Sequence, residues 1–447
     1  MRPDVLRAPA GNRAASRRAL LAGSVGNLVE WYEFGVYGCF ATVIAANFFT
    51  PAGSGAAPGA EALVATYASF ALAFFFRPLG AVVFGRLGDR FGRRATLVLV
   101  VGLMTFATTM IGLLPTRAAI GAAAPWLLTL LRILQGLSAG GEFGGAVSLM
   151  TEYAPVGRRG LYGAWQSFTV ALGLLTGAGT AACLASVLPA GALHAWGWRI
   201  PFLLALPLGA VALWLRTALE EPPAASAGGA SPAAPRAAPP PPDPAEPNRP
   251  GELGRAVVLG IGRVMGWCAA GYTFLVVLPS YLQATLGTSV REALLVTAVA
   301  QLGFAASILP AGMLSDRIGR RPVMLGGALC VVVLAFPLLQ LIRSPGGSPW
   351  LRAGAVLLAG AVVGLMAGPG PAMLAEMFPR RVRCTGLGVA YALANAVFSG
   401  CAGLVITALT ARTGNTGIPA YYAAGACAVS CLALLTLGGH DHREPLR

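Results

Sequence analysis

Residues 85–94 read Gly-Arg-Leu-Gly-Asp-Arg-Phe-Gly-Arg-Arg, and residues 312–321 read Gly-Met-Leu-Ser-Asp-Arg-Ile-Gly-Arg-Arg. The two stretches are identical at seven of ten positions, and the second begins 227 residues after the first, about half the chain length. Each lies between two long apolar runs, so each predicts a short basic loop that joins two hydrophobic helices. Glycine allows a tight turn, and clustered arginine beside a membrane marks its cytoplasmic side. A charged loop that recurs at half length indicates a duplicated membrane domain.

The composition supports a membrane protein. Of 447 residues 56% are hydrophobic and 11% charged, the mean hydropathy is +0.69, and apolar runs of about 20 residues recur, each long enough to span a bilayer. The net charge of +15 comes from 32 basic residues, all arginine. Because most of them fall in loops on one predicted side, membrane orientation explains this charge and nucleic-acid binding does not. The eight cysteines are scattered singly, which predicts no metal site and no cofactor.

Twelve apolar runs predict an all-α integral membrane protein with two six-helix halves in parallel repeat. The predicted segments are a cytoplasmic tail (1–18), an N-terminal bundle (19–216), a Pro/Ala-rich cytoplasmic linker (217–253), a C-terminal bundle (254–438) and a second tail (439–447). The arginine-rich loops place both termini in the cytoplasm. Two such halves are typical of an alternating-access transporter with its site at their interface.

Several stretches resemble the major facilitator superfamily, and within it the metabolite:proton symporter family. They are the two Gly-x-Leu-x-Asp-Arg-x-Gly-Arg-Arg loops, Gly26 to Phe34, Arg77 to Gly80, Gly136 to Phe143, Trp196 to Phe202 and Ala375 to Pro379. The resemblance covers nearly all of the chain except the first tail and the linker. Glu33 stands where that family more often has aspartate. Residues 152–163 and 413–422 are most similar to the di- and tricarboxylate branch.

Charged residues inside the membrane are candidates for function, because each costs about 2.5–3.5 kcal/mol on insertion scales. A proton symporter needs a titrating group, and none of the three histidines falls inside a predicted helix, so we expect a carboxylate. The candidates, in order, are Glu33, Glu30 and Glu142. Static ion pairs that hold helices together are the alternative for each of them.

Arginine can hold a carboxylate through two parallel hydrogen bonds, which makes Arg132 the first candidate for substrate binding. A fixed partnership with the glutamates of the first helix is the alternative. Further polar candidates for the cavity, or for ordinary interhelical hydrogen bonds, are Gln135, Tyr37, Gln166, Tyr272, Gln301, Tyr391 and Asn395. The repeated loops and nearby helix ends predict ion pairs that close the cytoplasmic side, formed by Asp89, Arg90, Arg93, Arg94, Glu152, Asp316, Arg317, Arg320 and Glu376.

The resemblance implies a monomeric secondary transporter in a bacterial inner membrane that takes up a small organic acid with protons. A di- or tricarboxylate such as citrate or 2-oxoglutarate is the first expectation. A zwitterionic compatible solute (proline or betaine) and a shikimate-like acid are the alternatives, ahead of drug efflux and of a polytopic membrane enzyme. The chain has no Walker loop and no catalytic triad in the membrane, so we expect neither ATP-driven transport nor enzymatic activity.

Overall fold

A computed structural model describes residues 10–51, 59–91, 93–152, 154–155, 157–218, 250–344, 348–379 and 382–438. Within helices, the side chains of residues 10–23 and of Asp89, Arg93, Arg94, Glu142 and Glu152 also lie outside the described part of the structure. The predicted first tail up to residue 9, most of the linker and the end of the chain fall outside it as well.

The described residues form twelve long helices in two sets of six. The first half contains α1 (residues 10–49), α2 (Ala60–Phe91), α3 (Arg93–Leu113), α4 (residues 123–152), α5 (Arg159–Val187) and α6 (residues 190–218). The second half contains α7 (residues 250–286), α8 (Val290–Ile318), α9 (Arg320–Arg343), α10 (residues 349–377), α11 (residues 383–413) and α12 (Ile418–Leu435). The predicted all-α fold of two six-helix halves is confirmed. Helix α1 begins at Ala10, before the predicted start at residue 19, and α7 begins at Pro250.

Ten of these helices are long and apolar enough to cross a membrane. The other two, α1 and α4, contain Glu30, Glu33 and Arg132, which are buried inside the bundle. Large apolar side chains point outward instead: Phe75 is 50% exposed and Leu432 is 68% exposed. An apolar exterior around a charged interior is the pattern expected of a bundle dissolved in lipid.

The two halves pack along α5 and α8, where glycine permits close contact between backbones. A Cβ atom added at Gly312 would lie 2.5 Å from the Cβ of Ala164, and one added at Gly160 would lie 2.5 Å from the carbonyl oxygen of Gly312. Any larger side chain at these two glycines would force the halves apart. The α5–α8 contact therefore depends on sequence positions that carry no side chain.

One end of the bundle carries the loops α2–α3, α4–α5, α8–α9 and α10–α11, and we call it the arginine-rich end. The opposite end is called the distal end. Two helices of the second half contain π-helical turns near the middle of the bundle, Thr273–Val277 in α7 and Asn395–Gly400 in α11. Such turns interrupt the regular hydrogen-bond ladder and are frequent at functional sites. Both are adjacent to the cavity described next.

Candidate solute and proton-coupling site

A cavity of about 40 Å³ lies between the two halves. Its lining from the first half is Trp31, Ser167, Val170 and Leu174; its lining from the second half is Trp267, Cys268, Gly271, Tyr272, Leu275, Val276, Phe304, Tyr391, Asn395 and Ser399. Five of these side chains are aromatic, and no charged residue is among the described residues that line the cavity. Aromatic faces attract cations such as ammonium groups, so the cavity favours a ligand with a cationic part.

Polar atoms in the cavity wall have unused hydrogen-bonding capacity. The hydroxyl of Tyr272 and the amide nitrogen of Asn395 are buried and have no hydrogen-bond partner. Tyr391 is stacked on Phe143, with ring centroids 3.5 Å apart, and lies 5.6 Å from the ring of Trp267. A buried donor without a partner is costly, so a ligand that accepts hydrogen bonds from Tyr272 and Asn395 would be stabilised here.

The other predicted polar candidates do not line this cavity. The Nε2 atom of Gln301 donates to the carbonyl oxygen of Leu275 at 2.7 Å, which holds α8 against the π-helical turn of α7. Gln166 is buried in α5, and its Oε1 atom has no hydrogen-bond partner. Arg132, Gln135 and Tyr37 lie inside the first half. Of the predicted substrate-binding residues, the structure therefore brings Tyr272, Tyr391 and Asn395 to the cavity.

A chain of hydrogen bonds joins Arg132 to Glu33 inside the first half. The Nη1 atom of Arg132 donates to Oε1 of Gln135 at 2.6 Å, and Nε2 of Gln135 donates to the hydroxyl of Thr108 at 2.5 Å. That hydroxyl in turn donates to Oε2 of Glu33. All four side chains are buried. Glu33 of α1 and Arg132 of α4 are thus connected through two neutral residues, Gln135 and Thr108. The Oε1 atom of Glu33 has no hydrogen-bond partner.

Arg132 is also enclosed by aromatic rings. Its guanidinium carbon lies 4.1 Å from the ring centroid of Tyr37, 4.7 Å from that of Phe70 and 5.0 Å from that of Phe34. The hydroxyl of Tyr37 is 2.7 Å from that of Ser69 in α2. Two nitrogens of Arg132, Nε and Nη2, have no hydrogen-bond partner. This arginine therefore keeps donors available for an anionic partner.

Glu30 makes a different contact from Glu33, because it pairs with Arg77 of α2. The Nη2 atom of Arg77 lies 3.3 Å from Oε1 of Glu30, and both side chains are at least nine-tenths buried. The guanidinium lies 4.4 Å from the ring centroid of Phe74 and 5.4 Å from that of Trp31. Since Trp31 lines the cavity, Arg77 connects the Glu30 pair to the cavity wall.

An ion-pair cluster joins the halves at the arginine-rich end. Arg320 of α9 pairs with Asp316 at 2.8 Å and with Glu376 at 3.0 Å, and Arg159 of α5 lies 3.9 Å from Glu376. The carboxylate of Asp316 also accepts hydrogen bonds from the backbone N–H groups of Gly160 at 2.7 Å and Leu161 at 2.9 Å. Asp316 of one half therefore caps the first turn of α5 in the other half.

Two other residues predicted for this gate, Arg90 and Arg317, lie at exposed positions of the arginine-rich end. Arg317 forms no ion pair with any described residue. The side chains of Asp89, Arg93, Arg94 and Glu152, and that of the proton candidate Glu142, lie outside the described residues.

The distal end is held closed by hydrogen bonds without charge. The hydroxyl of Tyr67 lies 2.6 Å from that of Ser280, and Thr42 donates to Oε1 of Gln283 at 2.7 Å. Both contacts join a helix of the first half to α7. With both ends of the interface in contact, the structure is an occluded conformation.

Arg77, Thr108 and Trp267 are among the residues at the site that the sequence analysis did not predict. Arg77 carries a usable signal, because a charge inside an apolar run is costly. Thr108 and Trp267 offered no such signal, since threonine and tryptophan are ordinary in membrane helices. Their roles follow from which helices pack together, and a single sequence does not specify this.

Comparisons with known proteins identify the family. Residues 19–224 match the model described as sugar (and other) transporter, and residues 259–446 match the major facilitator superfamily model. The glycine betaine/proline/ectoine/pipecolic acid transporter OusA of Dickeya dadantii is 36% identical over 91% of this chain and 80% of that protein. The alpha-ketoglutarate permease of Escherichia coli is also 36% identical, over 88% of this chain and 87% of the permease. The citrate-proton symporter of Klebsiella pneumoniae is 33% identical over 93% and 90%.

The fold is shared with a solved structure. The crystal structure of a D-xylose-proton symporter aligns with a TM-score of 0.73 over 96% of this chain and 99% of that chain, at 19% sequence identity. The three relatives named above each match over at least four fifths of their own length, and each half of the chain matches a family model. The chain therefore belongs to the major facilitator superfamily, as its repeated arginine loops indicate.

Proposed function

We propose that this protein is a proton-coupled symporter for a small zwitterionic solute such as betaine or proline. The main support for this proposal is the chemistry of the cavity between the halves. Five aromatic side chains line it, together with two unpartnered donors, the Tyr272 hydroxyl and the Asn395 amide, and no charged residue stands among its described lining. The aromatic faces suit an ammonium group and the two donors suit a carboxylate. A solute that carries both groups and no net charge matches this wall.

The size of the cavity favours the same solute class. At about 40 Å³ the occluded cavity accommodates a few water molecules, so binding has to widen it. A small solute requires less widening than a tricarboxylate. The similarity to OusA, whose name includes betaine and proline, supports the proposal independently.

Glu33 is the proposed proton carrier. It is fully buried, and Thr108 is the hydrogen-bond donor to its Oε2 atom while its Oε1 atom has no partner. Burial favours the neutral form of a carboxyl group, whereas a nearby arginine favours the charged form. Arg132, three hydrogen bonds away through Gln135 and Thr108, is positioned to shift this balance as the halves move. The Glu30–Arg77 pair is the second candidate, because it contacts the cavity wall at Trp31.

The cycle follows from the two closed ends. Glu33 takes up a proton and the solute enters while the distal end is open. Closure then reforms the contacts of Tyr67 and Thr42 with α7. Separation of Asp316 from the first turn of α5 opens the arginine-rich end and releases both. The proposed location is a bacterial inner membrane, with a monomer whose arginine-rich end and termini face the cytoplasm.

A di- or tricarboxylate, the first expectation from the sequence, is the second candidate substrate. Two observations favour it: Arg132 retains two donors without partners, and the alpha-ketoglutarate permease is 36% identical. Arg132 does not line the cavity, however, so an organic acid would have to reach past Phe34 and Tyr37. The zwitterion is therefore the better match for the cavity as it stands.

Uptake by proteoliposomes tests the two candidates. Radiolabelled betaine, proline, 2-oxoglutarate and citrate are offered with and without an inward proton gradient. We expect gradient-stimulated uptake of betaine or proline, with an affinity about tenfold lower in Tyr272→Phe because one hydrogen bond to the carboxylate is lost. Tyr421→Phe, an exposed tyrosine of α12, is the control. Uptake of 2-oxoglutarate or citrate without uptake of either zwitterion would reject the proposal in favour of the acid.

A further inference from the structure

A second, smaller cavity lies inside the first half between α1, α3 and α4. The space open to the centre of a water molecule is about 10 Å³, about the least that holds one water, and the cavity shares no lining residue with the cavity between the halves. Glu30 and Glu33 line it from α1, Met104 and Thr105 from α3, and Ser138 from α4. Both buried carboxylates of α1 therefore line the same cavity.

Two polar atoms of residues that line this cavity have no hydrogen-bond partner. They are Oε1 of Glu33, in a side chain that is fully buried, and the hydroxyl oxygen of Thr105, in a side chain 5% exposed. Thr109 in the same helix satisfies its hydroxyl by donating to the backbone carbonyl oxygen of Thr105 one turn away. Buried polar atoms are rarely left unsatisfied, and a bound water normally makes two to four hydrogen bonds. The residues that line the cavity therefore include polar groups that one bound water would satisfy.

The position of the cavity separates two functions of Glu33. Its Oε2 atom accepts a hydrogen bond from Thr108, which is linked to Arg132 through Gln135. Its Oε1 atom has no hydrogen-bond partner, and Glu33 lines the cavity. Glu30 precedes Glu33 by three residues, which places it about 4.5 Å nearer the arginine-rich end along α1. Among the described side chains, the charged groups that face the pair are Arg77 from α2 and, through Gln135 and Thr108, Arg132 from α4.

We propose that this cavity holds a water molecule that passes a proton between Glu33 and Glu30, apart from the route of the solute. This inference rests on the proposed function. The O–H bond of neutral Glu33 breaks as its proton moves to the water, and the water gives one of its own protons to the Glu30 carboxylate. The water is unchanged, Glu33 becomes charged and Glu30 becomes neutral.

The transfer has a consequence for the cavity between the halves. Neutral Glu30 no longer attracts Arg77, whose guanidinium lies 5.4 Å from the ring centroid of Trp31 in the wall of that cavity. A proton that reaches Glu30 thereby loosens a residue beside the solute. Proton and solute are coupled across this wall without sharing a path.

Radiolytic labelling detects the water directly, because hydroxyl radicals formed from a bound water oxidise the methionine next to it. Met104 lines the cavity, whereas Met150 of α4 is equally buried, at 5% exposure, and does not line it. We expect Met104 to be oxidised at least about fivefold faster than Met150 in the intact transporter, and this excess to disappear in Thr105→Val. Equal rates for the two methionines in the unmodified protein would overturn the proposal.

Transport assays test the role of the water in coupling. Exchange of labelled for unlabelled solute involves the loaded carrier only, whereas gradient-driven uptake also requires release of the proton. Thr105→Val is expected to slow driven uptake about tenfold, the effect of losing one hydrogen-bonding anchor, while exchange is unchanged. Thr109→Val, the same substitution one turn along α3 and outside the cavity, is the control and should leave both rates unchanged.

The outcomes separate the two proposals. If the unmodified protein shows gradient-driven uptake and Thr105→Val keeps the full rate, the water route is wrong and the symporter is not. Parallel loss of exchange and uptake in Thr105→Val would also overturn the water route, because the residue would then act on solute binding or folding. Transport without any gradient dependence in the unmodified protein would reject the symporter and the water route together.

Discussion

Neutralising Asp316 is expected to open the arginine-rich end of the transporter. In the occluded structure its carboxylate accepts N–H groups of Gly160 and Leu161 across the interface between the halves. The pair with Arg320 lies within the second half and survives opening, so it does not bias the conformational equilibrium. Asp316→Asn keeps the side-chain shape but removes the charge, and its NH₂ group faces one of the two backbone donors.

The magnitude follows from the interface contacts alone. Loss of one charge-assisted hydrogen bond costs about 1.5–3 kcal/mol, and loss of a negative charge at a helix N-terminus costs about 0.3–1 kcal/mol. Together these destabilise the closed end by about 2–4 kcal/mol. At about 1.4 kcal/mol per tenfold, the ratio of open to closed molecules rises about 30- to 700-fold.

Distances between spin labels measure this ratio. Labels at the exposed positions Arg158 and Ile318, one in each half, are introduced after replacement of the eight native cysteines. The control is Glu292→Gln in the same helix α8, which breaks an exposed carboxylate–arginine pair with Arg352 at the distal end, within one half. A short-distance population in Asp316→Asn equal to that in the control would refute the assignment of Asp316 as a link between the halves.

Three further predictions use the same principles. Tyr67→Phe removes the 2.6 Å contact with Ser280, so we expect opening of the distal end, opposite in sign to Asp316→Asn and about fivefold in size, measured with labels placed across that end. Gly136→Ala should lower the free energy of unfolding in detergent by about 1–3 kcal/mol, because its Cβ would lie 1.9 Å from the carbonyl oxygen of Ala73. The control is Gly102→Ala, because there is open space around Gly102. Equal unfolding temperatures for the two variants would contradict the packing argument. Glu30→Ala and Arg77→Ala should each destabilise by about 3–5 kcal/mol and the double variant by less than their sum; additive losses in thermal unfolding would show that the pair is not coupled.

Part of the site could be predicted from the charged residues of the sequence alone. Glu30, Glu33 and Arg132 stand out in the sequence because an intramembrane charge is expensive wherever it falls, and the structure buries all three inside the bundle. The structure also divides the polar residues of α1 among different neighbours. Asn27 donates to Thr169 of α5, Glu30 pairs with Arg77 of α2, and Glu33 accepts from Thr108 of α3. Helical periodicity places them on one side of α1 but does not say which helix each one meets.

The cavity between the halves was the least predictable feature. Trp31, Trp267 and Phe304 are individually ordinary in membrane helices, and only the packing of the two halves assembles them around one space. The same holds for the choice of solute, because Arg132, the arginine that suggested an acid, does not line the cavity.

The amino-acid sequence by itself determined the twelve helices, their division into two halves and the membrane environment. Hydropathy and internal repetition can be read from the sequence, because the preference of each segment for lipid over water depends on the residues of that segment. Only the tertiary structure decided which polar groups are partners, which donors are left over and where space remains. These depend on distances between residues far apart in the chain, such as Asp316 and Gly160, which are set when the helices pack.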